Sequence, residues 1–275
     1  MGKELKFVKM HGLGNDYVYI DCFPAPTAAI MAQADLSALA RRLSDRHFGI
    51  GSDGLVLILP CQEADAEMRI FNADGSEAEM CGNAIRCVGK YLYESALCMR
   101  PEMTVKTAAG IRKLTLQVRD GKVYQVRVNM GIPKTFTDSL VLKGSDLLGF
   151  TFVNMGNPHA VFFRNWVISD AEMADLGERI GTHPHFPEGT NVEFVHVRNA
   201  YELDVRVWER GSGETLACGS GACAAAVAAY RMGETNPEVV VHLKGGDLFI
   251  QYDPIDRIVR MTGPATEVFR GKMLL

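Results

Sequence analysis

Short runs in which apolar and polar residues alternate recur along the chain, among them "KVYQVRVNM" (122–130), "YELDVRVW" (201–208) and "DRIVRMT" (256–262). A period of two predicts strands with one buried face, and the Gly, Asp and Pro that bound them predict antiparallel neighbours. The helical period is rarer. It predicts helices over 35–49, with Leu36, Leu39, Ala40 and Leu43 on one face, and over 82–94, 169–181 and 219–232. Several strands and about two helices in each half of the chain predict a mixed α/β protein of the α+β type.

The halves repeat one another. "RIFNADGSEAEMCGNAIRC" (69–87) lies against "RVWERGSGETLACGSGAC" (206–223): each has a strand ending in an aromatic, Phe71 or Trp208, then a Gly turn, then Glu77 or Glu214 ahead of a cysteine that opens a helix. In the same order, "GLGNDYV" (12–18) matches "NMGNPHAVF" (154–162), "TAAGIRKL" (107–114) matches "HLKGGDLF" (242–249), and "VRVNMGIP" (126–133) matches "IVRMTGP" (258–264). The sharpest matches fall in turns holding Asn, Glu and Cys, where packing alone demands little, and this points to chemistry rather than to a record of duplication.

Composition narrows the classes. The chain has 275 residues, 47% hydrophobic and 23% charged, with a net charge of −4, so no basic excess exists to attract nucleic acid or an anionic membrane. The charged N-terminus lacks the apolar core of a signal peptide, and the longest apolar runs fall short of the roughly 20 residues that span a bilayer. A cytoplasmic location is expected. Seven cysteines, an odd number, argue for a reducing compartment, and their spacing does not fit a zinc site, so no metal is expected. Cys22, Cys61, Cys87, Cys98 and Cys223 read as small core hydrophobes.

Cys81 and Cys218 differ, because each is followed by Gly and a polar residue (Asn83, Ser220) where a helix begins. Free N–H groups and the helix dipole there are expected to lower the thiol pKa and to hold a carboxylate. Two such ends facing each other make an anion site flanked by two thiols. That suits inversion at a carbon next to a carboxylate, with one base per face, in a site closed to water.

"MHGLGNDYV" (10–18), "FNADGSEAEMCGNAIRC" (71–87), "MGNPHAV" (155–161) and "ERGSGETLACGSGACAA" (209–225) resemble the motifs of the diaminopimelate epimerases, in order and across the chain. The resemblance implies a pyridoxal-free isomerase that interconverts LL- and meso-diaminopimelate in lysine and peptidoglycan precursor synthesis. It implies two pseudo-symmetric domains, each a barrel-like, mainly antiparallel sheet around a central helix: residues 1–130 completed by 265–275, and residues 131–264. The site lies in the cleft between them.

By the same resemblance Cys81 and Cys218 are the acid/base thiols. The backbone at Gly82–Asn83 and Gly219–Ser220 binds the reacting carboxylate. Asn15, Asn72, Asn157 and Asn191 hold the substrate's amino and carboxylate groups, and Arg210 takes the distal carboxylate. Glu209 contacts substrate and, with His159, tunes the thiols. A homodimer is compatible with the resemblance. Where some family members carry Gln, this chain has Gly54, which suits a tight turn and is expected to matter little.

Two rivals remain on the page. A racemase of the proline racemase type shares the two-thiol idea but has His where this chain has Asn83, and a second motif unlike "ETLACGSG". A non-catalytic binding protein on the same scaffold would not require both cysteines. Two thiols that share one carbon could also oxidise to an inactivating disulfide.

Overall fold

The computed structural model describes residues 4–142 and 147–274; residues 1–3, 143–146 and 275, which include the outer ends of the expected domains, lie outside the described residues. The first half runs β1 (Glu4–Gly12), β2 (Asn15–Asp21), α1 (Ala25–Gln33), α2 (Leu36–Ser44), β3 (Gly54–Leu59), β4 (Ala66–Asn72), β5 (Glu77–Ala78), α3 (Gly82–Glu94), β6 (Glu102–Thr107), β7 (Gly110–Arg119) and β8 (Lys122–Gly131). The second runs β9 (Lys134–Val141), β10 (Leu147–Asn154), β11 (Pro158–Arg164), α4 (Asp170–Gly181), β12 (Asn191–Asn199), β13 (Glu202–Glu209), β14 (Gly213–Glu214), α5 (Gly219–Arg231), β15 (Glu238–Leu243), β16 (Gly246–Tyr252), β17 (Val259–Gly263) and finally β18 (Thr266–Leu274). Two compact units result, one up to Val128 together with the residues from Gly263 onward, the other Asn129–Thr262.

In the first unit the strands neighbour one another in the order β18, β1, β2, β3, β4, β6, β7, β8. In the second the order is β9, β10, β11, β12, β13, β15, β16, β17. The patterns are the same, down to the parallel joins: β2 with β3 and β4 with β6 in one unit, β11 with β12 and β13 with β15 in the other. The alternation of single strands predicts antiparallel neighbours throughout. These four joins differ because a helix intervenes between the partners, which turns a hairpin into a crossover.

Each sheet wraps one helix. In the first unit α3 packs on β1, β2, β6 and β7 and is buried continuously from Gly82 to Gly89. In the second, α5 packs on β10 to β13 and on β15 and β16, and Ala222 to Ala229 are at most 4% exposed. Helix α5, surrounded in this way, has no polar face to show, and its alanines let the sheet approach closely. The hairpins that deliver the two cysteines are pinned alike: Arg69 donates to Glu77 across β4 and β5, and Arg206 to Glu214 across β13 and β14, each at 2.7 Å.

Two expectations about helices need correction. The helix expected over 35–49 stops at Ser44, because the Asp45 carboxylate accepts from the His47 and Phe48 backbone N–H groups at 2.7 and 2.8 Å and turns the chain out of the helix. The helix α1 has no counterpart in the sequence reading. Its N-cap, Pro24, supplies no capping side chain and only Met31 is buried, so the proline in its first turn is its one start signal and no apolar stripe marks it.

Candidate active site

In the first unit Cys81 is the N-cap of α3, and its sulfur accepts from the Ala84 N–H at 3.5 Å. Tyr17 on β2 directs its hydroxyl at the same sulfur from 3.9 Å. Burial, and next the Cys81 charge, push the Tyr17 pKa well above its ordinary value, so Tyr17 stays a donor. The thiol itself points at Asn15 Oδ1, 3.4 Å away, and the Asn83 amide donates to that oxygen at 3.3 Å. Asn15 is oriented in turn by Asp53, which accepts from its Nδ2 at 2.8 Å and from the Asp16 N–H at 3.0 Å. Arg46 spans Asp16 and Asp53 at 2.8 Å each.

Beneath this arrangement lies Arg86, 0% exposed, which donates to Gly82 O (3.1 Å), Asn83 Oδ1 (2.9 Å) and Pro264 O (3.1 Å). It fixes the first turn of α3 from below. Asn72 bonds the Ser76 hydroxyl at 3.0 Å and stands across from Gly54, which stands across from Tyr17. Gly54 is not a tight-turn glycine. A Cβ there would lie 2.1 Å from the Phe71 carbonyl oxygen and 2.9 Å from the Tyr17 ring, so close strand packing excludes any side chain.

In the second unit Cys218 is the N-cap of α5, with Ser220 Oγ 3.5 Å from its sulfur. The expected lowering of the thiol pKa does not occur here. Burial first, then the charges of Glu209 and Glu193, push Cys218 well above the ordinary thiol range, while Ser220 and the Gly221 N–H oppose them more weakly. Desolvation outweighs the helix end because the sulfur is enclosed with two carboxylates near it. Glu209 is held by the Thr215 hydroxyl.

His159 and Asn191 are paired neighbours on β11 and β12. Asn191 bridges backbone, donating to Pro158 O and accepting from the Arg210 N–H, both at 2.9 Å. The Arg210 side chain is exposed and donates to Glu188 O at 3.0 Å. His159 commits both ring nitrogens, Nδ1 to Glu193 Oε1 at 2.6 Å and Nε2 to Asn157 Oδ1 at 3.1 Å.

The first unit thus gathers Cys81, Gly82, Asn83 and Asn15 around one thiol. The second gathers Cys218, Gly219, Ser220 and Glu209 around the other, with His159 and Asn191 on the adjoining strands and Asn157 and the Arg210 backbone in the turns at strand ends. Sequence reasoning missed Tyr17, Asp53 and Glu193. Glu193 carried a signal, since it is the acid inside an otherwise apolar run, "VEFV" (192–195), that is buried throughout. Cys22, Cys87 and Cys223 are buried as expected, but Cys61 and Cys98 are only partly buried, because each lies in a loop leaving a core element. No disulfide links any of the seven cysteines, all of which are among the described residues. Among the described residues no cluster of three or more His, Cys, Asp or Glu side chains is arranged to hold a metal, and no helix is long and apolar enough to cross a membrane.

Comparison with known proteins gives the family. A sequence model of the family "Diaminopimelate epimerase" matches residues 7–136 and 151–268. The diaminopimelate epimerase of Moorella thermoacetica is 49% identical over 97% of this chain and 98% of its own length. That of Methanococcus maripaludis is 44% identical over 98% and 99%. Among solved structures, a hydroxyproline epimerase from Agrobacterium vitis superposes with a TM-score of 0.73 at 18% identity, covering 100% of this chain and 94% of that one. A PhzF-family phenazine biosynthesis protein from Bacillus anthracis gives 0.73 at 15%, covering 99% and 100%. The two structural likenesses speak for the fold, and the sequence relatives decide the rest: the chain belongs to the diaminopimelate epimerase family of isomerases.

Proposed function

We propose that this protein interconverts LL- and meso-diaminopimelate, with Cys81 and Cys218 as the two acid/base groups and no cofactor. The observation that carries the reading is that the two cysteines are the N-caps of equivalent central helices in two units of the same topology. The family relatives supply the substrate.

The chemistry follows from the surroundings of each sulfur. As thiolate, Cys81 takes the α-proton, and donors at Ala84 N–H and Tyr17 O–H stabilise its charge before transfer. The electron pair left on carbon delocalises into the carboxylate, which takes on enolate character and draws on the N–H groups of a helix end. Cys218, kept protonated by burial and by Glu209 and Glu193, returns a proton to the opposite face and becomes the thiolate. The reverse direction uses the same steps with roles exchanged. Asn15, Asn72, Asn83, Asn157, Asn191, Ser220 and Glu209 would hold the amino and reacting carboxylate groups, and Arg210, whose side chain is exposed, the distal carboxylate. A division near residue 130, a cytoplasmic location and a homodimer belong to the same reading.

The test is conversion of LL-diaminopimelate by the purified chain under reducing conditions with nothing added, followed by NMR. Epimerisation by the wild type, with loss in both Cys81→Ala and Cys218→Ala, is expected. Turnover of proline or hydroxyproline instead would overturn the substrate. Retention of epimerisation in either variant would overturn the two-thiol mechanism.

A further inference from the structure

Glu193 is a carboxylic acid with 0% exposure, and its Oε2 is buried without a hydrogen-bond partner. Such a group is costly to keep dry, and packing does not require it. The strand register gives its counterpart in the other unit: Tyr17 pairs with Gly54 as His159 pairs with Asn191, so Val56 occupies the place of Glu193 and Tyr17 that of His159. One unit fills these positions with an apolar residue and a tyrosine, the other with an acid and a histidine. The second unit also makes room for the acid. A Cβ at Gly221, in the first turn of α5, would lie 2.8 Å from Glu193 Oε1.

What the acid does follows from the hydrogen bonds. Glu193 Oε1 meets His159 Nδ1 at 2.6 Å, and His159 Nε2 meets Asn157 Oδ1 at 3.1 Å. An amide oxygen can only accept, so Nε2 carries a hydrogen and donates to it. The Glu193 carboxyl, sharing a hydrogen with Nδ1, is what holds the ring in that plane and form. With its oxygen occupied, Asn157 is left to present its NH₂ edge, a donor suited to a carboxylate and not to an ammonium. Asn15 is set the opposite way, since Asp53 takes its NH₂ and leaves the oxygen edge beside Cys81.

We propose that Glu193 is a positioning residue that acts through His159 to fix the amide of Asn157 with its donor edge toward the substrate carboxylate. The proposal rests on the functional reading above, so its test has an arm that does not need activity. Imidazole ¹⁵N NMR of the labelled wild-type protein should show His159 with a protonated, pyrrole-type Nε2, and Glu193→Gln, whose amide can donate to Nδ1, should retain that signature. A pyridine-type Nε2 in the wild type would overturn the proposal whatever the enzyme's activity.

In kinetics, Glu193→Ala should raise KM for LL-diaminopimelate about tenfold, the worth of one hydrogen bond to a charged group, alongside a change in kcat from the loss of its charge near Cys218. Glu193→Gln should recover KM to within about threefold, as the conservative variant of a hydrogen-bonding role. An unchanged KM in Glu193→Ala, with circular dichroism showing a folded protein, would also overturn it. A wild type that does not epimerise diaminopimelate would contradict the substrate assignment and leave the Nε2 measurement to decide this point alone.

Discussion

Gly221→Ala sets two physical effects against each other. Gly221 sits in the first turn of α5, and by helix propensity alone Ala would be favoured by about 0.8–1 kcal/mol. The structure says otherwise. The added Cβ would stand 2.8 Å from Glu193 Oε1 and 3.3 Å from both Cys218 Cβ and Val207 Cγ2. Overpacking of that kind costs about 1–3 kcal/mol. Moving the carboxylate also weakens its 2.6 Å bond to His159, a charge-assisted interaction worth about 1.5–3 kcal/mol. The balance is a net loss of about 1.5–5 kcal/mol once the propensity gain is subtracted. Urea unfolding followed by circular dichroism measures it, and the midpoint should fall with the slope unchanged. A variant as stable as the wild type, or more so, would refute the argument and show that the Glu193 side chain has free space to move.

Further outcomes follow from other contacts. Arg86→Met would leave the acceptors at Gly82 O, Asn83 Oδ1 and Pro264 O without this buried donor, and should destabilise by about 3 kcal/mol or more in the same unfolding assay, at about 1 kcal/mol or more for each acceptor. Asp53→Ala removes the acceptor that orients Asn15; kcat/KM should fall about ten- to a hundredfold, the worth of one to two hydrogen bonds at a site, and a wild-type value would show that Asn15 needs no orienting partner. Stability should decline in alkali. Burial pushes Cys22 up to about 12 and Cys87 up to about 11 from an ordinary 9.0, and raises Cys218 as well. Above pH 9 the folded chain therefore holds protons that the unfolded chain has lost. The stabilisation is complete below that pH and is lost as pH rises toward the folded values, by about 1.4 kcal/mol per pH unit for each thiol. Urea midpoints between neutral and strongly alkaline pH check this, and Cys87→Ala should flatten the decline; a midpoint that does not fall would contradict it.

Much of this was legible because a twofold repeat makes each signal appear twice. The match of "EAEMCGN" (77–83) to "ETLACGS" (214–220) locates both helix starts, and the paired strands β4–β5 and β13–β14 hold them there. What the sequence could not carry was depth. Desolvation reversed the expected acidity of Cys218, because enclosure with Glu193 and Glu209 depends on strands far apart in the chain. Gly54 read as a turn residue for want of knowing that the Phe71 carbonyl passes so close. Tyr17 drew no reading of its own within "GLGNDYV" (12–18), although its hydroxyl reaches Cys81. The four parallel joins escaped notice because alternation reports which face is buried and says nothing of strand direction.

The central claim is that two thiols, one per face, perform the inversion, and deuterium partitioning tests it most directly. LL-diaminopimelate is incubated with the wild-type protein in D₂O and quenched at low conversion, and the α-deuterium content of product and of recovered substrate is read by NMR or mass spectrometry. With two bases the product's α-hydrogen comes from a thiol already exchanged with solvent, while reversal returns the original proton from the other. The account predicts nearly complete deuterium in meso product and almost none in recovered LL substrate. Deuterium in both at equal levels, or protium carried over into the product, would contradict it and require a single base serving both faces.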